Sequence, residues 1–475
     1  MFAGEHVSGT IIILLAAAVA VALIAHRLRI PYVVALVIAG LALGAGHAIH
    51  APALTQGLLY SVFLPGLIFE AAFHMDLRAL RRNAGTLVAL TVPGVAVSIF
   101  ATAGLLAWGS RALAPASAIT WPTGLVFGAI IAATDPIAVV AVFRRFGVPD
   151  RLRLLVEGES LLNDGTAIVA LSLVLAAVQG HGVSVLTLAG EFVTTVGLGV
   201  LVGTVIGGAA WFAISRIDDA TLEITLTSVT AYGAFLGAEA LHVSGVLATV
   251  AAGLLCGSCA ARGGMSPVTR RAVSSYWEYV AFVLNSLVFL LLGLSVQPRT
   301  LGEAWPLILV AYGVVLVVRE AVLLGVSAVV HPTRQRLPRR WRPALLWGGL
   351  RGALSMVLAL GLAPDVPART SIVTMTAGVV ILSILIQGLT MGPVLRALGI
   401  RPEAPPEAAY ERARVALLVS EAAREQLDAL AVDPDIDPSI LAPPREENNA
   451  RRMAARAAMR RANGDGVRDG AGDAQ

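Results

Sequence analysis

Runs of about twenty apolar residues recur along this chain up to residue 396, and no other feature limits its fold so severely. Such a run spans a bilayer as an α-helix, because ~20 residues at ~1.5 Å each cover the ~30 Å hydrocarbon layer. Composition excludes the soluble alternative: 57% of the residues are hydrophobic and 14% charged, with mean hydropathy +0.78, whereas a soluble domain carries about 25% charged residues. Breaks at charges, Pro and Gly give thirteen candidate helices, over 9–26, 31–47, 57–73, 85–109, 122–143, 154–178, 184–215, 220–241, 243–260, 274–296, 303–328, 343–363 and 370–396. The expected fold is an all-α integral membrane protein embedded in the lipid bilayer.

The connections give an independent reading. The odd ones, counted from the N-terminus, carry Arg27 and Arg29; Arg78, Arg81 and Arg82; Arg144, Arg145, Arg151 and Arg153; Arg216; Arg262, Arg270 and Arg271; and Arg334, Arg336, Arg339, Arg340 and Arg342. With Arg396 and Arg401 after the last helix these make twenty, while the even connections hold only Arg111, Arg299 and Arg369. Positive loops stay in the cytoplasm, so the N-terminus is expected outside and the C-terminus inside the cell membrane.

Residues 1–401, with net charge +8, form the expected transmembrane domain, and 402–475, with net −4, a cytosolic tail. The tail should hold an amphipathic helix over 406–431, with Val415, Leu418, Ala422 and Leu430 on one stripe. Asp433-Pro434-Asp435-Ile436-Asp437-Pro438 breaks it, and a second helix over 445–462 precedes a disordered end. Such a tail is either a solvated appendage or a regulatory, dimer-contacting element. The first apolar run lacks a cleavage signal and is expected to be retained. Cys256 and Cys259, the two cysteines present, read as small residues in an apolar helix rather than a redox or zinc pair.

Ionisable residues at membrane depth are costly and therefore candidates for function. Glu70 lies in the third helix and Asp135 in the fifth, in Ala133-Thr134-Asp135-Pro136. The sixth carries Glu157-Gly158-Glu159-Ser160-Leu161-Leu162-Asn163-Asp164-Gly165. Ser160 and Asp164 share one helical stripe, Glu159 and Asn163 the adjacent one. Pro136 removes a backbone donor and disfavours helix at Asp135, and an interruption at that depth must line a cavity or be covered by protein. Carboxylates, a hydroxyl and freed carbonyls make an all-oxygen site, which suits a hard cation. The twelfth helix offers a second interruption, Trp347-Gly348-Gly349-Leu350-Arg351-Gly352. Two interrupted segments in corresponding places suggest inverted repeats, helices 1–6 and 8–13, with helices 5 and 12 crossing at the site. Glu157 and Asp150 could mark a helix end, and Glu239, Glu278 and Glu320 could lie near interfaces or in structural pairs. Asp164, at least ten residues into an apolar helix, is the strongest functional candidate. No phosphate, nucleotide, nucleic-acid or cofactor motif appears, nor the nucleophile–base or metal cluster of an enzyme.

Over Leu64–Asp76, Ala133–Asp164, Trp277–Gly293 and Gly348–Ser355 the sequence resembles the first monovalent cation:proton antiporter family, which includes the Na+/H+ exchangers. The resemblance implies that Asp164 carries the ion and the proton, next to Asn163. Asp135, Ser160, Thr134 through its carbonyl, and Glu70 would complete a Na+ site. It further implies that Glu159 pairs with an arginine, Arg319 or else Arg351, with Asn163 bridging, and that Arg351 compensates charge at the crossing. A homodimer is implied, each protomer having a core and a dimerisation domain. Asn163 ahead of Asp164 resembles the electroneutral class, one Na+ (or Li+) for one H+, serving pH and Na+ homeostasis. K+/H+ exchange, a cation channel or sensor using the same acids, and a Na+-coupled anion symporter are the alternatives.

Overall fold

In a computed structural model, residues 2–28, 30–45, 57, 59–113, 118–179, 184–261, 264–331, 333, 335–400, 406–431 and 438–471 are described. Arg29, Arg262, Arg334, Arg401 and the expected break at Asp433–Asp437 lie outside them. No strand occurs among the described residues. The chain opens with α1 (Phe2–Leu28) and α2 (Tyr32–Ala45); a π turn at Leu59–Phe63 then leads into α3 (Leu64–Phe73). There follow α4 (Leu77–Arg82), α5 (Ala84–Thr91), α6 (Pro93–Leu113), α7 (Trp121–Ala132), α8 (Ile137–Phe146), α9 (Asp150–Val178), α10 (Val185–Ile214) and α11 (Ala220–Ala240). Next come α12 (Gly245–Ala261), α13 (Pro267–Ser295), α14 (Pro298–Glu303), α15 (Trp305–Val330), α16 (Trp341–Gly348) and α17 (Ala353–Leu360). The first unit closes with α18 (Arg369–Leu382), a second π turn at Ser383–Gln387, and α19 (Gly388–Ala397). Met1–Ile400 is one compact unit and Arg401–Gln475 another.

Among the described residues, eight helical stretches are long and apolar enough to cross a membrane, and four shorter apolar ones accompany them. Their outer faces carry bare apolar side chains such as Leu186, Val205 and Val317, which suits contact with lipid tails rather than water. Trp108, Trp121 and Trp305 are exposed near helix ends that meet the arginine-poor connections, as amphipathic rings are at a membrane boundary.

Lipid gives no hydrophobic drive for helix association, so close backbone packing carries it. Gly199, Gly203 and Gly207 form a stripe on α10 against Ser244, just before α12, and Ala248 and Ala252 within it; a β-carbon on Gly207 would come within 2.7 Å of the Ala252 Cα. Gly293 of α13 packs on α2 as closely: a β-carbon there would come within 2.6 Å of the Val37 carbonyl oxygen. Gly257 of α12 likewise abuts the Phe73 backbone of α3, so α2, α3, α12 and α13 pack as a wall.

The chain straightens at Ala133–Pro136, between α7 and α8, and at Gly349–Gly352, between α16 and α17. The two extended segments meet: the Asp135 N–H donates to the Leu350 carbonyl at 2.9 Å. Four helix ends therefore point at one place, two with free N–H groups and two with free carbonyls.

The tail unit is a helical hairpin of α20 (Pro406–Leu430) and α21 (Pro438–Ala471). The second helix starts earlier and runs further than the expected 445–462, passing through Pro443 and Pro444. Its inner face also differs from the expected stripe. Ala413 and Ser420 are buried, and Asn448 donates to the Ser420 carbonyl at 2.9 Å, while Val415 and Leu418 stay bare. Small residues let the two backbones approach, so the larger apolar ones are left outside.

Candidate cation site

The site is built from the α7/α8 break outward. Freed from helical pairing, the Thr134 carbonyl accepts a hydrogen bond from the Ser160 hydroxyl of α9. One turn along α9, the Asn163 amide donates to the Thr134 hydroxyl at 3.3 Å. Asn163 thus holds the break itself and does not bridge the Glu159–arginine pair, as the family pattern had suggested. Asp164, four residues beyond Ser160, opens on the same cavity as Asp135, and its Oδ1 has no hydrogen-bond partner among the described residues. Asp135 turns one oxygen back to the start of α8, accepting from the Ile137 N–H at 3.0 Å. Two carboxylates, a hydroxyl and a backbone carbonyl therefore converge, a donor set for a hard cation.

Arg351 sits opposite. Its guanidinium, 6% exposed, donates to the Ala132 and Ala133 carbonyls at 3.1 and 3.3 Å. These are terminal carbonyls of α7, where the helix dipole concentrates negative charge, so the cation both caps the end and offsets the field. The Ser355 hydroxyl donates to the same Ala133 carbonyl at 3.4 Å. Gly352 lies so close that a β-carbon there would fall on the Asp135 carboxylate.

Glu159 faces away from the cavity. Arg319 of α15 forks onto its carboxylate, Nη1 to Oε1 and Nη2 to Oε2, the second bond being 2.9 Å long. Nη2 also reaches the Leu345 carbonyl at 3.2 Å. This buried pair ties α9 and α15 to α16, one arm of the second broken helix, and Arg351 takes no part in it.

The cavity is about 440 Å³. Buried Thr134 and Ser160 line it together with Asp135 and Asp164; exposed His74 and Arg144, beside the turns after α3 and α8, line it too, with Glu157 and Glu278. Glu70 also lines it and pairs with His74, Nδ1 to Oε1, at 3.3 Å. His74 caps α3 at the edge of the membrane-spanning region. Burial pulls its pKa down, but the hydrogen bond and charge of Glu70, helped by Glu278, outweigh that and raise it above 6.5. Among the remaining candidates, Glu157 pairs with Arg153 at 3.8 Å, Glu320 pairs with Arg342 at 2.8 Å, and Glu239 is exposed.

Two residues that sequence reasoning passed over line the same space. Asn285 of α13 is 7% exposed, and its Oδ1 lacks a partner among the described residues. Tyr32, at the start of α2, faces the cavity from the same wall. The signal for Asn285 was present: Asn285-Ser286 is a polar pair inside the apolar run Val283–Gly293. A search confined to ionisable residues misses it.

Comparison with known proteins decides the family. The model of the transmembrane sodium/hydrogen exchanger family matches residues 12–397. The chain belongs to that family. Among its relatives is the Na(+)/H(+) antiporter ApNhaP of Aphanothece halophytica, 39% identical over 374 residues, which are 78% of this chain and 70% of that protein. The Na(+)/H(+) antiporter NhaP of Pseudomonas aeruginosa is 38% identical over 353 residues, 71% of this chain and 80% of that one. The solved sodium proton antiporter MjNhaP1 of Methanocaldococcus jannaschii has the same fold, with TM-score 0.68 at 21% identity, over 83% of this chain and all of that one. The exchanger-family match spans both broken helices and all of α9, while the tail lies outside it. The chain is thus a multi-pass membrane transporter.

Proposed function

We propose that this protein exchanges Na+ for H+ across the cell membrane, one for one, with Asp164 as the group for which the two ions compete. The observation that carries the reading is the gathering of Asp164, Asp135, Ser160 and the Thr134 carbonyl at a helix break midway along the apolar stretch Trp121–Phe146. A bare carboxylate is costly there, so either occupant, Na+ or H+, neutralises it. The loaded site can then change sides and the empty site cannot, which couples the two gradients. Asn163 supports the 1:1 ratio, since its amide is engaged with Thr134 and holds no titrating proton. Sodium, rather than potassium, is supported by the relatives named as Na+/H+ antiporters.

Thirteen spans, counting the broken helices as one each, agree with the alternation of arginines, which places the N-terminus outside and the tail in the cytosol. On that orientation the mouth carrying His74, Arg144 and Glu157 faces the cytosol, and this is the inward-open form. The matching breaks in helices 5 and 12 support inverted six-helix repeats. The wall of α2, α3, α12 and α13 would belong to a dimerisation domain, against which a core holding α7–α9 and α15–α19 moves.

The test is proton flux in everted vesicles, followed with a pH-sensitive dye. Na+ should collapse an imposed pH gradient with the intact protein, and Asp164→Asn should abolish this. Sodium-driven flux surviving in Asp164→Asn would refute the assignment.

A further inference from the structure

The sequence shows no phosphate-binding motif, but the fold brings together arginines from two separate connections. Arg216, after α10, and Arg270 and Arg271, in the first two turns of α13, line one open cleft of about 920 Å³. All three are exposed, and among the described residues none of their guanidiniums forms an ion pair. Asp218 also lines the cleft, and it accepts from the Thr269 hydroxyl at 3.0 Å rather than from an arginine. Ser215 and Ser266 add hydroxyls, and Ser266 caps α13 by accepting from the Thr269 N–H at 3.3 Å.

We propose that this cleft binds the phosphate of an anionic phospholipid headgroup from the leaflet on the arginine-rich side. A guanidinium presents paired N–H donors that match phosphate oxygens, and three of them around one cleft suit an anion. Basic pockets between transmembrane helices on the cytosolic side are suited to such headgroups. The surroundings favour a lipid over a free ion. Phe212, 62% exposed, stacks beneath Arg216 at 3.4 Å. This bare ring against a cleft arginine gives an acyl chain a place to lie while the headgroup enters. None of the residues lining this cleft lines the cation cavity.

The test uses the purified full-length protein in a neutral detergent. Its melting temperature is followed on titration with phosphatidylglycerol, phosphatidylcholine or sodium phosphate. Phosphatidylglycerol should raise the melting temperature of the intact protein, and Arg270→Gln with Arg271→Gln should weaken its apparent affinity at least tenfold. Arg216→Gln, which leaves α13 untouched, should weaken it in the same direction and serves if the double variant does not fold. A phosphatidylglycerol shift that is absent, unchanged in the variants, or matched by phosphatidylcholine would overturn the site. An equal, arginine-dependent shift with sodium phosphate alone would give the cleft to the free anion and overturn the lipid.

Discussion

Gly352 and Asp135 show how closely single residues are fitted at this site. The Asp135 side chain occupies the place where a β-carbon on Gly352 would stand, so Gly352→Ala must displace that carboxylate or the segment bearing it. The expected result is an apparent KM for Na+ raised at least tenfold with protein levels retained; an unchanged KM would show that the packing does not position Asp135. His74 gives a residue-scale pH effect. Its pKa is raised in the folded protein by Glu70 and Glu278, with Arg144 and Glu157 lining the same cavity from α8 and α9. A raised value means that the pairing stabilises fully below the ordinary imidazole pKa of 6.5 and is lost as pH rises through the elevated folded value. Melting curves from about pH 6 to about pH 9 should therefore fall more steeply for the intact protein than for His74→Gln. Parallel curves would contradict this. Of the residues at the site, the carboxylates were legible because charge in lipid is costly and stands out. Asn285 and Tyr32 were not, since neutral polar residues also occur in apolar helices that carry no function.

At the scale of elements, the two interruptions were legible because their causes are local. Pro136 cannot continue a ladder, and glycines at 348, 349 and 352 weaken one. The π turns at Leu59–Phe63 and Ser383–Gln387 left no comparable signature. The second has a visible purpose: the Ser383 hydroxyl accepts from the Arg351 N–H at 3.2 Å and donates to the Val380 carbonyl at 2.8 Å, satisfying backbone that the break exposes. The buried Glu159–Arg319 pair locks α9, α15 and α16 to one another. Removing one partner leaves a buried charge alone, so Arg319→Ala should cost about 3–5 kcal/mol, whereas Glu159→Leu with Arg319→Met should restore most of it. Thermal or denaturant unfolding of the purified protein measures both. Equal losses in the single and double variants would mean that the pair acts through packing and not charge.

For the whole molecule, the sequence carried more than it does in most soluble proteins. The bilayer imposes a length on every span, and the distribution of arginine follows the connections. Both constraints act on composition, so they can be read without coordinates. The tail shows the limit: its helices were expected, but the choice of a small-residue face over the Val415–Leu418 stripe depends on how closely two backbones approach. Which end of the ion cavity is open was also beyond reach, because one sequence must support both forms of an alternating transporter.

Exchange requires that Na+ and H+ compete for Asp164, and proton release measures that competition directly. Na+ is added to the purified protein in weak buffer at a pH where the site is protonated, and the acid released is titrated against the Na+ bound. About one proton should leave for each Na+ taken up, and Asp164→Asn should release none. Sodium binding without proton release, or release that persists in Asp164→Asn, would contradict the account.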